Sequence, residues 1–382
     1  MIKKNPQVRR RKTVALDIVI VGSGIAGLGT AMAFTDAGKK VMVLEKKMTG
    51  EASQAAAGIL DPFLERGPRH PLLPLAISAL RKFPQLIQKI RKVTGGDAGY
   101  RCAGLMYVAF TPAEEKILRA KYRWQKKTGV ALRWLKRHEV VKREPGVCGS
   151  VRCGIYYPGI GRVIAPDFLR SIRTYLIKKG CLFRTVSRDP RPVTDQKGVK
   201  RFMFGAGGNT YLAADMVFTR GAWEKYSPKK NVRPWFRPVR GQALIVRMPR
   251  CKLMTTVHSV RSAYVVPWQK SVYLLGSTVE FSGFRPHTTR AGLCRIRDGA
   301  QRLVPAFRSA RMIRKWAGLR PISRDRLPVI GRTGAGGAYL LNGLYRSGIL
   351  LGCELGRLLS HGIMRRKMPK IIEPYSPGRI KI

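Results

Sequence analysis

The sequence predicts an α/β fold, and three observations predict it. A short apolar strand, Ala15–Val21, runs into Gly22-Ser23-Gly24-Ile25-Ala26-Gly27 and then into a helical stretch. A second apolar run, Val41–Leu44, closes on Glu45, 23 residues after Gly22. Strand–turn–helix order returns near the end, where Ala338–Leu341 leads through Asn342–Gly348 into a helical run from Ile349 to Met364. The chain therefore starts and finishes in one kind of architecture and carries different material between.

The opening unit suits the ADP half of a dinucleotide. Gly22 permits a tight turn, Gly24 lets the backbone approach a pyrophosphate, and Gly27 lets the helix pack on the strand. The N–H groups of the helix N-terminus offer themselves to phosphate, and Glu45 is placed to accept from a ribose hydroxyl. These residues leave both NAD and FAD open.

The next segment, Gly50–Leu60, is rich in small residues, which suits either backbone passing beside a flat ligand or a tightly packed helix start. Apolar residues recur at helical spacing from Pro74 to Val93, and Gly95-Gly96 ends that helix. A strand over Gly104–Phe110 and a long basic helix from Pro112 to Gly129 follow, then a helix opened by Pro166-Asp167 and ended by Gly180. Residues 181–221 read as strands around an exposed polar loop, Asp189–Lys200. A second strand region spans 239–281, with runs at Gln242–Val246, Ala263–Val266 and Val272–Leu275.

At 382 residues the chain has length for two or three domains. Its richest apolar stretch, Val14–Phe34, is broken by Asp17 and four glycines, so no transmembrane helix is expected. The basic residues before it do not make an export signal, because the apolar stretch they precede is the first strand of the fold. Seven cysteines without a C-x-x-C, and five scattered histidines, point to reduced thiols, a cytoplasmic location and no metal site. Charge is the anomaly: 74 Lys plus Arg against 21 Asp plus Glu gives +53. Either this field binds a polyanion or an anionic membrane, or it is a compositional habit spread along the whole chain.

Taken together, seven stretches make the sequence resemble the D-amino-acid-oxidase-type flavoproteins, and among them the bacterial glycine oxidases of thiamine thiazole synthesis. They are Gly22–Gly27, Glu51–Gly58, Arg237–Gln242, Tyr264–Pro267, Trp316–Pro321, Leu327–Gly331 and Gly343–Leu350. The likeness runs over about residues 14–362. It implies FAD as the cofactor, non-covalent because Ala317-Gly318-Leu319 stands where sarcosine-oxidase relatives carry a flavin-linking cysteine. It also implies a Rossmann-like FAD-binding domain (14–90, 150–225 and 320–365) with an inserted substrate domain (91–149 and 226–319) whose antiparallel sheet roofs the flavin. A basic N-terminal tail (1–13) and a C-terminal tail (366–382) flank them.

The resemblance further assigns roles. Gly22, Ser23, Gly24, Ile25, Ala26, Gly27, Glu45 and Lys46 belong with the ADP moiety, and Val186 near adenine. Ser53, Ala56, Ala57 and Gly58 pass beside the isoalloxazine, with Gly221 also at the cofactor. Gly343, Leu344, Tyr345, Arg346, Ser347, Gly348 and Ile349 form the loop and helix start under its pyrimidine edge. Arg320 clamps a substrate carboxylate, Tyr264 donates a hydroxyl to it, Arg346 adds a second arginine and Val279 an apolar wall. No catalytic acid, base or nucleophile is expected, because the flavin does the chemistry. Leu344, Ser347, Trp268 and Arg220 depart from the glycine-oxidase pattern.

Three activities follow as expectations. The first is oxidation of glycine or a similar small amino acid or secondary amine to an imine, with O2 as acceptor, H2O2 as by-product and a thiazole-synthesis enzyme as partner. The second is a quinone- or carrier-linked dehydrogenase at an anionic membrane surface. The third is a nucleic-acid-associated flavoprotein acting on a modified transfer RNA. A homo-oligomer and non-specific polyanion binding through the basic surface stay open in each case.

Overall fold

The computed structural model describes residues 13–194, 198–226, 235–260, 263–334 and 336–380. Almost all of the basic N-terminal tail therefore lies outside the described residues. Thr13–Val21 (β1), Ile25–Asp36 (α1) and Val41–Glu45 (β2) form the opening unit. Leu73–Thr94 (α2), Leu105–Ala109 (β3), Pro112–Gln125 (α3), Arg133–Lys136 (β4), Arg137–Arg143 (α4) and Cys153–Tyr157 (β5) follow. Ala165–Lys178 (α5) leads to Leu182–Thr185 (β6), Arg191–Thr194 (β7), Lys200–Ala206 (β8) and Asn209–Phe218 (β9). The second half holds Phe236–Arg247 (β10), Thr256–Ser259 (β11), Tyr264–Gln269 (β12), Val272–Gly276 (β13), Arg290–Leu303 (α6) and Arg311–Ser323 (β14). Val329–Arg332 (β15), Ala338–Asn342 (β16) and Gly348–Met364 (α7) close the chain's main elements.

The strands make two sheets. In the first, the order is β15-β16-β9-β1-β2-β6, and β1 runs parallel to both β2 and β9. The free edge of β9 is shared: its first half pairs with β8 and its last residues with β16. The second sheet has the order β14-β10-β13-β12-β11-β3-β5-β4 and is antiparallel except where β11 meets β3. This is the α/β architecture with a second, largely antiparallel sheet that the sequence implies. β5 pairs inside the second sheet, although its residues fall in a stretch assigned from sequence to the first region.

Local chemistry explains the helices that matter most. α2 buries Leu75, Leu80, Phe83, Ile87 and Ile90 at helical spacing, and Gly95 ends it in the left-handed region at φ 80°. Thr111 and Glu114 form a reciprocal capping box at the start of α3. α1 is buried on nearly every side and packs along α7 through small residues. A Cβ added to Gly29 would lie 2.6 Å from the Cys353 Cα, and one added to Gly356 would lie 2.5 Å from the Thr30 nitrogen.

Two stretches differ from their sequence reading. Residues 189–200 contain β7, an exposed strand hydrogen-bonded to β8, whose polar, proline-bearing sequence hides it. The C-terminal stretch is packed instead of trailing: Ile372 and Tyr375 are buried in the main core, and Arg379 Nε bonds Asp325 Oδ2 at 2.9 Å. Among the described residues no helix is long and apolar enough to cross a membrane, and no cluster of ligating side chains could hold a metal. All seven cysteines are free.

The α1–α7 contact has a direct test. Gly356→Ala forces backbone apart and is expected to cost about 1–3 kcal/mol, read as a lowered thermal midpoint. Gly67→Ala, where an added carbon meets nothing within 4 Å, is the control and should leave the midpoint unchanged.

Candidate active site

A cavity of about 1450 Å³ is lined by residues of both sheets. Its floor begins where β1 ends. Gly22 has φ +117°, and a Cβ there would sit 2.5 Å from the Thr219 carbonyl oxygen. Thr219 Oγ1 donates to the carbonyls of Val21 (3.1 Å) and Gly22 (3.0 Å), tying the turn to β9. A Cβ on Gly27 would lie 1.9 Å from the Gly22 oxygen, so only glycine lets α1 start this close to the strand. Ser23, Gly24, Ile25 and Ala26 line the cavity, while Gly27 stands behind them as the packing residue.

Two helices aim their positive ends at this space. No side chain caps α1, and its first amide, Ile25 N–H, donates to Ser53 Oγ at 3.1 Å. No side chain caps α7 either, and its first residues, Gly348 and Ile349, line the same cavity. One helix terminus favours a phosphate and the second favours another centre of negative charge. That pairing fits a flavin dinucleotide, whose pyrophosphate is anionic and whose ring gains charge when reduced.

Other residues that the resemblance assigns to the cofactor also line this cavity. Glu45, Lys46, Val186 and Gly221 line one side. Glu45 is also paired with Arg173 of α5, a partner the sequence did not suggest, and the Arg173 guanidinium lies 4.0 Å over the Phe183 ring. Ser53, Ala56, Ala57 and Gly58 line the cavity, and a Cβ on Gly58 would fall 1.9 Å from the Val163 oxygen. The second sheet is stapled to this small-residue loop: Trp316 Nε1 donates to the Ala55 oxygen (3.1 Å) and Leu319 N to the Gly50 oxygen (2.8 Å).

Above the loop, β12 and β14 supply polar side chains. Arg320 is half-buried; Nη1 donates to the Thr278 oxygen at 2.9 Å and Nη2 to Ser277 Oγ at 3.0 Å. The guanidinium lies on Gly241, where a Cβ would be 2.1 Å from Nη2. Burial lowers the Arg320 pKa, Tyr264 opposes that effect and Arg346 adds to it. Tyr264 is buried across the sheet from Gly276, which leaves its hydroxyl room that a side chain there would take. Arg346 is ion-paired with Glu65; burial works to lower its pKa, but Glu65 outweighs burial and holds it above the ordinary value.

Leu344 and Tyr345 line the cavity, and Tyr345, at φ 46°, donates its N–H to the Pro321 oxygen at 3.0 Å. Gly343 makes the turn before them, and Ser347 accepts a hydrogen bond from the buried Arg66. Val279 is placed elsewhere. It is 46% exposed and borders a separate shallow depression with Arg295 and Arg302, so it forms no wall of the cavity in this structure.

An aromatic column beside Tyr264 escaped the sequence reading. Tyr107 donates its hydroxyl to buried Asp61 at 2.5 Å, and its ring stacks on His258 with centroids 4.8 Å apart. The His258 ring lies 5.6 Å from that of Tyr264. Its Nδ1–H donates to the Ser259 oxygen at 2.6 Å, while Nε2 is buried with no hydrogen-bond partner in the protein. Burial pushes the His258 pKa down to about 4, leaving a neutral ring beside the arginines. Asp61 is raised, chiefly by burial.

Comparison with known proteins agrees with this geometry. The family model described as "FAD dependent oxidoreductase" matches residues 17–361. The chain is 30% identical to the glycine oxidase of Geobacillus kaustophilus over 369 residues, covering 95% of this chain and 97% of that protein. It is 28% identical to the bifunctional protein ThiO/ThiG of Trichormus variabilis, covering 96% of this chain and 55% of that longer protein. The crystal structure of the Geobacillus kaustophilus glycine oxidase superposes with a TM-score of 0.86 at 28% identity, over 96% of this chain and 100% of that one.

The neutral His258 makes stability depend on pH. Its folded pKa of about 4 lies below the unfolded value, so stability is fully present above about pH 6.5 and is lost as pH falls toward the folded pKa. The loss at about pH 5 should be about 2 kcal/mol. Thermal melts across this range should show a shallower acid slope in His258→Gln than in the parent. An identical slope in both proteins rules out His258 as the source.

Proposed function

The chain belongs to the FAD-dependent oxidoreductase family of the D-amino-acid-oxidase type, and on that premise we propose that it oxidises glycine or a similarly small amino acid or secondary amine to the imine. The observation that carries this reading is the Arg320 clamp. Its guanidinium is fixed by Thr278 and Ser277 beside Tyr264, in the same cavity as the flavin-side loop Ser53–Gly58. When bound, the isoalloxazine ring supplies the two-electron acceptor for this chemistry.

The protein's own residues do the rest by position and charge. A guanidinium held by two hydrogen bonds still has donors left for a carboxylate, and the Tyr264 hydroxyl adds another. The Arg320 guanidinium makes an ammonium costly nearby, which favours the neutral amine that oxidation requires. The pairing of Arg346 with Glu65 keeps that second charge fixed without spending it on the substrate carboxylate. Trp316 and Leu319 hold the sheet down on the loop.

Two further parts of the reading rest on the relatives and on composition. The fused ThiO/ThiG protein supports delivery of the imine to a thiazole-forming enzyme, since an imine is lost to water unless it is consumed promptly. Oxygen is the acceptor in this reading, with H2O2 formed, and the enzyme acts in the cytoplasm.

The experiment is anaerobic addition of glycine to the purified holoprotein while its visible spectrum is followed. Bleaching supports the reading, and admitting oxygen should restore colour with release of peroxide. Failure of glycine, sarcosine and D-alanine alike to bleach it would overturn the small-substrate assignment. Arg320→Lys should keep the flavin spectrum and lose roughly 100-fold in kcat/KM, the worth of a planar charged fork. An unchanged kcat/KM in that variant would remove Arg320 from the clamp.

A further inference from the structure

The connection between β13 and α6, residues 277–289, holds Arg320 through Ser277 and Thr278 at its start and carries, beyond them, side chains that face outward. Val279, Phe281 and Phe284 on it are 46%, 64% and 56% exposed. Phe284 borders the mouth of the cavity, its ring 6.4 Å from that of Trp223. The Arg237 guanidinium lies 5.7 Å over the Phe281 ring. Arg285 is exposed on the same connection, and Arg237 and Lys225, which also border the cavity, are exposed.

The nearby acids do not neutralise this rim. Glu280 is engaged by Arg240, Arg295 and Gln242, and Glu224 is buried against Arg220. Apolar rings in a cationic frame are what remains outside. Such a patch at the surface of a soluble-sized fold marks an interaction site.

We propose that this connection, with Arg237, seats the protein on an anionic lipid bilayer, Phe281 and Phe284 entering the headgroup layer. The net charge of +53 selects an anionic partner and argues against a second copy of the same chain, which would carry the same field. A bilayer suits the mixture better than a nucleic acid does. Val279 offers no face for a base, and each ring already has one neighbour, Arg237 or Trp223. Aromatic side chains anchor at the interface while flanking Arg and Lys meet lipid phosphates, and the two signals together give stable attachment. The inference goes beyond the proposed reaction, since it concerns where the protein sits and not what it oxidises.

Co-sedimentation of the holoprotein with vesicles tests it. Phosphatidylcholine vesicles containing phosphatidylglycerol should carry the protein down at low salt, pure phosphatidylcholine vesicles should not, and high salt should release it. The double variant F281S/F284S, with its flavin spectrum and thermal midpoint checked, should partition roughly tenfold less, the loss expected for two interfacial rings. If the double variant does not fold, Phe281→Ser alone carries the test. Met254→Ser, which alters a residue 72% exposed in the β10–β11 connection, should partition as the parent does. Failure to bind anionic vesicles overturns the proposal. So does equal binding by parent and double variant, which would leave diffuse charge as the cause. Phenylalanine-dependent binding to RNA without vesicle binding would overturn it in favour of a nucleic acid.

Discussion

The close contact of α1 with α7 is the constraint on which the site depends. Because Gly29 and Gly356 let the two backbones approach, both helices begin at the same cavity and both present uncapped N-termini to it. Neither N-cap residue supplies a capping bond, and Ser53 takes up only the Ile25 N–H of α1, so each terminus keeps amides that prefer negative charge. The glycines of the first turn then set the depth of that cavity. Gly27 brings α1 against the Gly22 carbonyl, and Thr219 locks the turn from β9.

The second sheet depends on the first through the small-residue loop. Gly318 lies so near Ala55 that a Cβ would come within 2.5 Å of its methyl carbon, and Trp316 and Leu319 bond to the loop backbone on either side. β14 is thereby fixed over the loop, and Arg320, one residue past Leu319, inherits its position from that contact. Gly241 on β10 yields the space that the guanidinium fills. Arg320 is thus held by backbone proximity and by Thr278 and Ser277 more than by any partner acid, and on the proposed reading its charge is left for a carboxylate.

The sequence disclosed these parts unequally, for physical reasons. Gly22, Gly24, Gly27 and Glu45 are legible because a strand, a turn and a helix in fixed order leave a local pattern. Arg320 and Tyr264 are legible only through motif resemblance, since nothing local distinguishes one arginine among 74 basic residues. Ser277, Thr278, Glu65 and His258 are hidden because their roles come from strand pairing and from contacts across long stretches of chain. Asp61 and Tyr107 meet across 46 positions, a separation that no periodicity records. Val279 shows the converse hazard: a position matched by motif sits on the outer surface here. One signal was available and unused. With 21 acids against 74 bases, an acid such as Glu65, close after the small-residue loop, stands out on composition alone.

That scarcity of acids orders the molecule's electrostatics. Several acids are committed to particular cations: Glu45 to Arg173, Glu65 to Arg346, Asp215 to Arg366, Glu280 to Arg240 and Glu354 to Arg357. Two of these pairs border the cavity, where they fix charges that would otherwise repel one another. Exposed pairs contribute little stability each, so their value here lies in placing charge and not in binding energy. The basic side chains far outnumber the acids, so the excess gives the protein a strongly positive net field. Charge is therefore arranged unevenly: paired where Glu45 and Arg346 border the cavity, and in large positive excess over the chain as a whole.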